Sequence, residues 1–306
     1  MMSKTVFLFS GQGSQYPGMG EELCQSVPSV SKIYECAADI LGYDLKALCF
    51  HGTAEQLSET RVSQPAIFAT SLVALEAVRS KGISCHGVAG HSLGEYAAMV
   101  AAGMLTMEDG FRAIKARAEA MQKCAKQSKG GMVAILGLEA PIIEKICKET
   151  EGYVVPVNYN SPAQTVIAGE KGALEKAAAA LSEAGAKRTV PLAVSAAFHS
   201  SMMQPAADEF QKAIAALSFS KPMVEFYANV TGGLLTDVSD MPAYLARHIV
   251  SPVRFVDELH LMQTNGYTKF IELGPNKVLT GLVKKTLKDV TAINIENAKT
   301  LAALQK

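Results

Sequence analysis

Residues 88–103 read VAGHSLGEYAAMVAAG, Val88 to Gly103. A short apolar run leads into Gly90, and a helical pattern dense in small residues starts after Ser92. The serine between two glycines therefore sits at a strand-to-helix corner, G-x-S-x-G, the nucleophile elbow of α/β enzymes. Glycines let the chain turn sharply there. Such a corner exposes the Ser92 hydroxyl at the C-terminal edge of a sheet. The N-terminal amides of the following helix point at the same spot, where they stabilise an oxyanion. Ser92 is the candidate nucleophile and the Leu93 amide a candidate oxyanion donor. The bland reading is a serine capping a helix at a glycine-rich turn.

The pattern on either side is that of an α/β protein built on a largely parallel sheet, strand-like runs alternating with helical ones. Thr5–Ser10 reads as a buried strand, Gln64–Ser80 as a helix, Leu93–Ala102 as the elbow helix and Glu108–Gln127 as a long helix. The middle differs. Met132–Leu138, Pro141–Thr150, Val154–Asn158, Thr165–Ala168, Gly172–Ala184 and Arg188–Leu192 run strand, helix, strand, strand, helix, strand, with YNSPAQ in a turn-rich link. That order is the ferredoxin-like split βαβ pattern. The expected layout is a large hydrolase-like α/β domain (1–128 and 195–306) with an inserted ferredoxin-like subdomain (129–194). The large domain resumes with a helix at Met202–Leu217, a strand at Val224–Asn229, further helices, a strand at Lys269–Leu273 and a helix at Lys277–Leu287. A cleft between the two units would be the natural ligand site.

The 306 residues carry 29 basic and 29 acidic side chains. With no net charge, nothing global points to nucleic acid or an anionic membrane surface. No apolar run approaches the roughly 18 residues of a membrane span, and the start reads as a first strand and not as a signal peptide. The six cysteines are scattered without a C-x-x-C pair. They read as reduced thiols of a cytoplasmic protein.

A serine nucleophile needs a base. Of the six histidines, His91 adjoins Ser92 in sequence, so its ring should project away from the hydroxyl. His199 follows the strand-like TVPLAVSAAF at the end of the inserted unit and would reach Ser92 across the cleft. His248 and His260 lie in helical stretches and read as packing or surface residues. A second glycine-rich corner, GQGSQYPGMG (Gly11–Gly20), follows the first strand. It is neither G-x-G-x-x-G nor a P-loop. The amide of Gln12 in it is a candidate second oxyanion donor. Arg117, taken alone, reads as a solvated residue on its helix.

Together these segments resemble the malonyl-CoA:acyl-carrier-protein transacylase family and the acyltransferase domains of polyketide synthases. Gly11-Gln12-Gly13-Ser14-Gln15, Gln64-Pro65-Ala66, Gly90-His91-Ser92-Leu93-Gly94-Glu95, Arg117, Ala197-Phe198-His199-Ser200, Ser251-Pro252-Val253-Arg254 and Glu272-Leu273-Gly274-Pro275 occur in family order over essentially the whole chain. The resemblance implies that Ser92 is acylated from a CoA thioester, with His199 as base and then acid. It implies that the amides of Gln12 and Leu93 hold the oxyanion and that Arg117 pairs with the free carboxylate of a malonyl group. A guanidinium suits that task because its planar fork donates two parallel hydrogen bonds and stays charged. Gln64 would support the pocket, and Phe198 would leave little room for an α-methyl branch.

One position departs from the family. His248 stands where relatives carry glutamine or asparagine and where the residue helps orient the catalytic histidine. The implied partners are malonyl-CoA and an acyl carrier protein, with no metal or redox cofactor, no nucleic acid and no membrane, and a monomer is expected. Fatty-acid synthesis is the expected pathway, with a trans-acting polyketide acyltransferase as the alternative. Lys115, Lys187 and Arg188 are available for a basic rim facing an acidic carrier. Two rivals follow from the residues: a hydrolase of acyl-CoA or acyl-carrier thioesters, which Arg117 disfavours, and a non-catalytic docking module, which an intact Ser92 and His199 disfavour.

Overall fold

The computed structural model describes residues 4–194 and 196–304. Ser195, where the large domain was expected to resume, lies outside them, as does the chain before Lys4. Among the described residues the strands are β1 (Lys4–Phe9), β2 (Gly87–Gly90), β3 (Gly130–Leu136), β4 (Val154–Ser161), β5 (Gln164–Glu170), β6 (Arg188–Pro191), β7 (Glu225–Ala228), β8 (Gly233–Leu234), β9 (Tyr267–Leu273) and β10 (Thr291–Ile295). The first sheet runs β10-β9-β1-β2-β7-β8. It is parallel from β10 to β7, and β8 turns back antiparallel. The second sheet, β4-β5-β3-β6, is antiparallel throughout.

The unbroken apolar run of β1 follows from its central place. Phe7 and Phe9 face one helical layer, packing with Ile67, Phe68 and Tyr96, while Val6 and Leu8 face the other, with Phe255 and Leu279. A parallel strand covered on both faces needs apolar residues at every position, not at alternate ones. In the second sheet Val133 and Ile135 of β3 face that sheet's own helices, Ala140–Glu149 and Lys171–Glu183. Met132 and Ala134, pointing the opposite way, join the main core. A bridge between Asn158 and Val253, with Val253 N–H donating to Val157 and Tyr159 N–H donating to Val253, ties this sheet to the segment just before the helix Phe255–Thr264.

The expected element order is present, with differences at the edges. The helix expected from Gln64 begins a turn earlier, at Thr60, and runs through Pro65 to Ser80. Proline removes the amide that would reach the Arg61 carbonyl, and the Tyr43 hydroxyl donates to that carbonyl instead (3.0 Å). The YNSPAQ link is a tight hairpin, since β4 continues to Ser161 and β5 opens at Gln164. The helix expected over Met202–Leu217 spans only Gln204–Ala213 after a short 3-10 turn. The strand β10 was not foreseen. Glu272 at the end of β9 accepts from the amides of Leu279 (3.0 Å) and Thr280 (2.7 Å), so the E-L-G-P segment caps the helix Val278–Thr286.

Candidate active site

Ser92 follows β2 and precedes the helix Gly94–Ala101, and its φ is 52°. The left-handed region costs an L-residue roughly 1–2 kcal/mol, so the corner must be held by its surroundings. Close packing supplies part of that hold. A side chain on Gly90 would collide with the backbone of Gly94, and one on Gly94 with the Phe9 carbonyl. Both glycines are therefore required by the approach of helix to sheet as well as by the turn.

His199 is also left-handed, with φ 62°, and its Nε2 lies 2.7 Å from Ser92 Oγ. Its Nδ1 faces two main-chain carbonyls, His248 at 3.1 Å and Ser251 at 3.0 Å. Carbonyls only accept, so Nδ1 carries the proton and Nε2 presents its lone pair to the serine hydroxyl. Burial, reinforced by the nearby Arg117 and His91, lowers the His199 pKa to about 3. The ring is neutral at physiological pH and ready to take the serine proton.

His248 helps to orient His199, but through its main chain. Its carbonyl orients His199, while its side chain turns away: Nε2 donates to Asn229 Oδ1 (3.2 Å). His248 is fully buried, and burial first, then His199 and Arg117, holds its pKa well below the usual histidine value. No carboxylate bonds to His199 among the described residues. His91 projects to Asn160 (2.7 Å) and packs on Phe255, as its sequence position predicted.

Arg117 is 1% exposed, not solvated. The helix Met107–Gln127 buries Gly110, Phe111, Ala113, Ile114, Arg117, Ala118 and Met121, so Arg117 sits on its apolar stripe. Nη1 donates to Gln64 Oε1 (2.8 Å) and Nη2 to Ser92 Oγ (3.2 Å). Its Nε has no partner among the described residues. The guanidinium lies over the Tyr96 ring at 5.6 Å, and among the described residues no carboxylate bonds to it. A buried cation held by neutral groups is a receptor for an anion.

These side chains open on a cavity of about 320 Å³ that Gln12, Ser92, Arg117, Met132, Phe198 and His199 help to line. The amides of Gln12 and Leu93 donate to no protein acceptor among the described residues. Of the three basic residues available for a rim, Lys115 gives its ammonium to the Ile40 carbonyl (2.9 Å), and Lys187 and Arg188 are exposed. Burial pushes the thiols of Cys24 and Cys85 up to about 11 and those of Cys49 and Cys147 up to about 12, away from thiolate chemistry.

Sequence reasoning missed a buried polar cluster behind the elbow. Glu95 accepts from the Asn229 amide and from Tyr244 Oη (3.0 Å to Oε2), and burial raises its pKa from 4.5 to about 8. Asn229 directly follows β7, at the same sheet edge as Ser92, and that position was the available signal. A native carboxyl with a raised pKa stabilises the fold fully below pH 4.5. The contribution is lost as pH rises toward 8, because the unfolded chain ionises first. Relative to wild type, Glu95→Gln is therefore expected to gain on the order of a few kcal/mol between pH 5 and pH 8. Urea melts at both pH values check this, and an unchanged difference would mean that Glu95 is ionised in the native state.

A serine on a strand–turn–helix corner, touched by a neutral imidazole and a buried guanidinium, defines an acyl-handling serine enzyme. The chain belongs to the acyl transferase domain family, whose model matches residues 6–306. It is 39% identical to the malonyl CoA-acyl carrier protein transacylase of Bacillus subtilis strain 168, covering 98% of this chain and 96% of that one. It is 40% identical to the protein of that name from Escherichia coli K12, over 99% of both chains. Its structure superposes with a TM-score of 0.95 on an acyl carrier protein S-malonyltransferase from Vibrio cholerae, at 40% identity and over 99% and 100% of the two chains. It also superposes on a malonyl-transacylase solved in complex with its type II polyketide acyl-carrier protein, with a TM-score of 0.94 at 37% identity over 98% of both.

Proposed function

We propose that this acyl transferase moves a malonyl group from malonyl-CoA to the phosphopantetheine thiol of an acyl carrier protein, through an ester on Ser92. The observation that carries the substrate class is the buried guanidinium of Arg117, 3.2 Å from Ser92 Oγ. A carboxylate one carbon beyond the reacting carbonyl would meet it and take two of its remaining N–H donors. His199 Nε2 accepts the serine proton as Oγ bonds to the thioester carbon. The carbonyl oxygen becomes an oxyanion, held by the amides of Gln12 and Leu93. Collapse breaks the carbon–sulfur bond, and Nε2 returns the proton to the departing CoA thiolate. The carrier thiol repeats the sequence in reverse, its proton passing through Nε2 to Ser92.

Nucleophile, base and oxyanion donors all belong to the chain, so the reaction as proposed requires no metal or redox cofactor. Phe198 bounds the space beside the α-carbon, and Gln64 keeps Arg117 aimed. The βαββαβ order and the β4-β5-β3-β6 sheet support a ferredoxin-like subdomain at 129–194 inserted in a hydrolase-like domain. Among the described residues no helix is long and apolar enough to cross a membrane. We read the protein as a cytoplasmic monomer serving fatty-acid synthesis.

Separate incubation with malonyl-CoA and acetyl-CoA, acid quench and peptide mass measurement test the reading. The expected result is a malonyl adduct on the Ser92 peptide with little acetyl adduct, then its transfer to holo-carrier. Rapid CoA release without an adduct would identify a hydrolase, and neither release nor adduct would overturn the malonyl assignment. Parallel transfer to fatty-acid and polyketide carriers separates the two pathways.

A further inference from the structure

The side chain of Asn229 is fully buried, and every hydrogen-bonding direction it has is used across the elbow. Nδ2 donates to the Gly90 carbonyl (2.7 Å) and to Glu258 Oε1 (2.8 Å). Oδ1 accepts from the Ser92 amide (2.7 Å) and from His248 Nε2 (3.2 Å). One carboxamide thus grips the chain two residues before the strained serine and at the serine itself. Through His248 it also fixes the residue whose carbonyl holds His199 Nδ1. The main chain of Asn229 is pinned in turn, its amide to Glu95 and its carbonyl by the Arg254 amide (2.9 Å).

We propose that Asn229 is the positioning residue that sets the registry between Ser92 Oγ and His199 Nε2, acting through the Ser92 backbone on one side and His248 on the other. It touches neither the pocket nor Arg117. Its loss should therefore slow formation of the serine ester without weakening capture of the malonyl carboxylate. An alanine leaves the Ser92 amide and the Gly90 carbonyl without partners, and the elbow can relax from its left-handed turn. An aspartate keeps the shape but reverses the sense of the contact to Gly90, because an ionised carboxylate accepts only. Once protonated it can donate to Gly90 again. The titratable groups that face position 229 are Glu258 from the helix Phe255–Thr264, Glu95 from Gly94–Ala101 and His248 from Met241–Val250.

The inference rests on the Ser92 ester reading, so the test includes a probe independent of the malonyl donor. Asn229→Ala and Asn229→Asp are compared with wild type in single-turnover malonylation of Ser92 and in labelling of Ser92 by a small fluorophosphonate. At pH 8.5 both variants should lose on the order of 100-fold in kcat, with KM for malonyl-CoA within about threefold and labelling slowed in parallel. Asn229→Asp should recover as pH falls from 8.5 to 6, and Asn229→Ala should not. A folded variant labelling at the wild-type rate at pH 8.5, or a raised KM at unchanged kcat, would overturn the proposal. If Asn229→Ala does not fold, the aspartate variant decides alone, and a flat pH profile at any level overturns the role. Absence of a malonyl adduct on wild type that still takes the fluorophosphonate would sink the malonyl reading and leave the positioning role standing.

Discussion

Arg117→Met is expected to lower malonylation of Ser92 by about 100- to 1,000-fold while leaving acetylation equal or several-fold faster. The guanidinium is 1% exposed and, among the described residues, hydrogen-bonded to Gln64 and Ser92 alone. In a malonyl complex it gains a carboxylate inside a low-dielectric pocket. Truncating one partner of such a buried pair costs roughly 2–5 kcal/mol. In an acetyl complex the same cation stays unpaired beside an apolar methyl, and methionine removes that penalty. The ratio of malonyl to acetyl adduct, read by peptide mass after a fixed time with each donor, should therefore fall by at least the malonyl loss. Equal losses with both donors would mean that Arg117 only supports the serine. The substitution should also raise the His199 pKa, because Arg117 is the largest charge contribution after burial in holding it low.

Replacing His199 by alanine should cut Ser92 acylation by about 10⁶-fold, the scale on which a catalytic serine loses its histidine, and Ser92→Ala should abolish the adduct. Both side chains line the cavity, so circular dichroism and melting should show a folded protein. The pH dependence follows from the direction of the shift. A base whose pKa is lowered stays in its competent neutral form as pH falls. With His199 at about 3, acylation should stay flat from pH 8 to pH 5, without the fall near 6.5 of an ordinary histidine. When malonate pairs with Arg117, part of the charge pressing on His199 is neutralised. The acid limb of kcat should therefore lie above that of kcat/KM. A limb of kcat/KM at 6–7 in the folded enzyme would show that the ring is better hydrated than its burial implies.

Much of this protein was fixed by local sequence. The apolar run of β1 had to be a strand covered on both faces. The glycines at 90 and 94 allowed both the turn at Ser92 and the close approach of its helix, and the periodicities between Met132 and Leu192 set out a βαββαβ unit. Each of these is a rule of neighbours in the chain, a repeat of 2 or 3.6 residues or a turn requirement. The motif set then pointed to Gln12, Gln64, Arg117, Phe198 and His199 through resemblance.

What no local rule could supply was distance. Ser92 and His199 are 107 residues apart in sequence, and their meeting depends on how two sheets pack. Arg117 looked solvated because charge outweighs phase in a sequence reading. Its place on the apolar stripe of Met107–Gln127 would have marked it as buried. His248 kept its orienting task through its carbonyl, which any residue carries, so its side chain was free to differ. The cluster of Asn229, Glu95, Glu258, Tyr244 and His248 comes from three helices and a strand end. A buried polar group finds its partner only when the fold closes around it, and that closure decided which hydroxyl would be held against which imidazole.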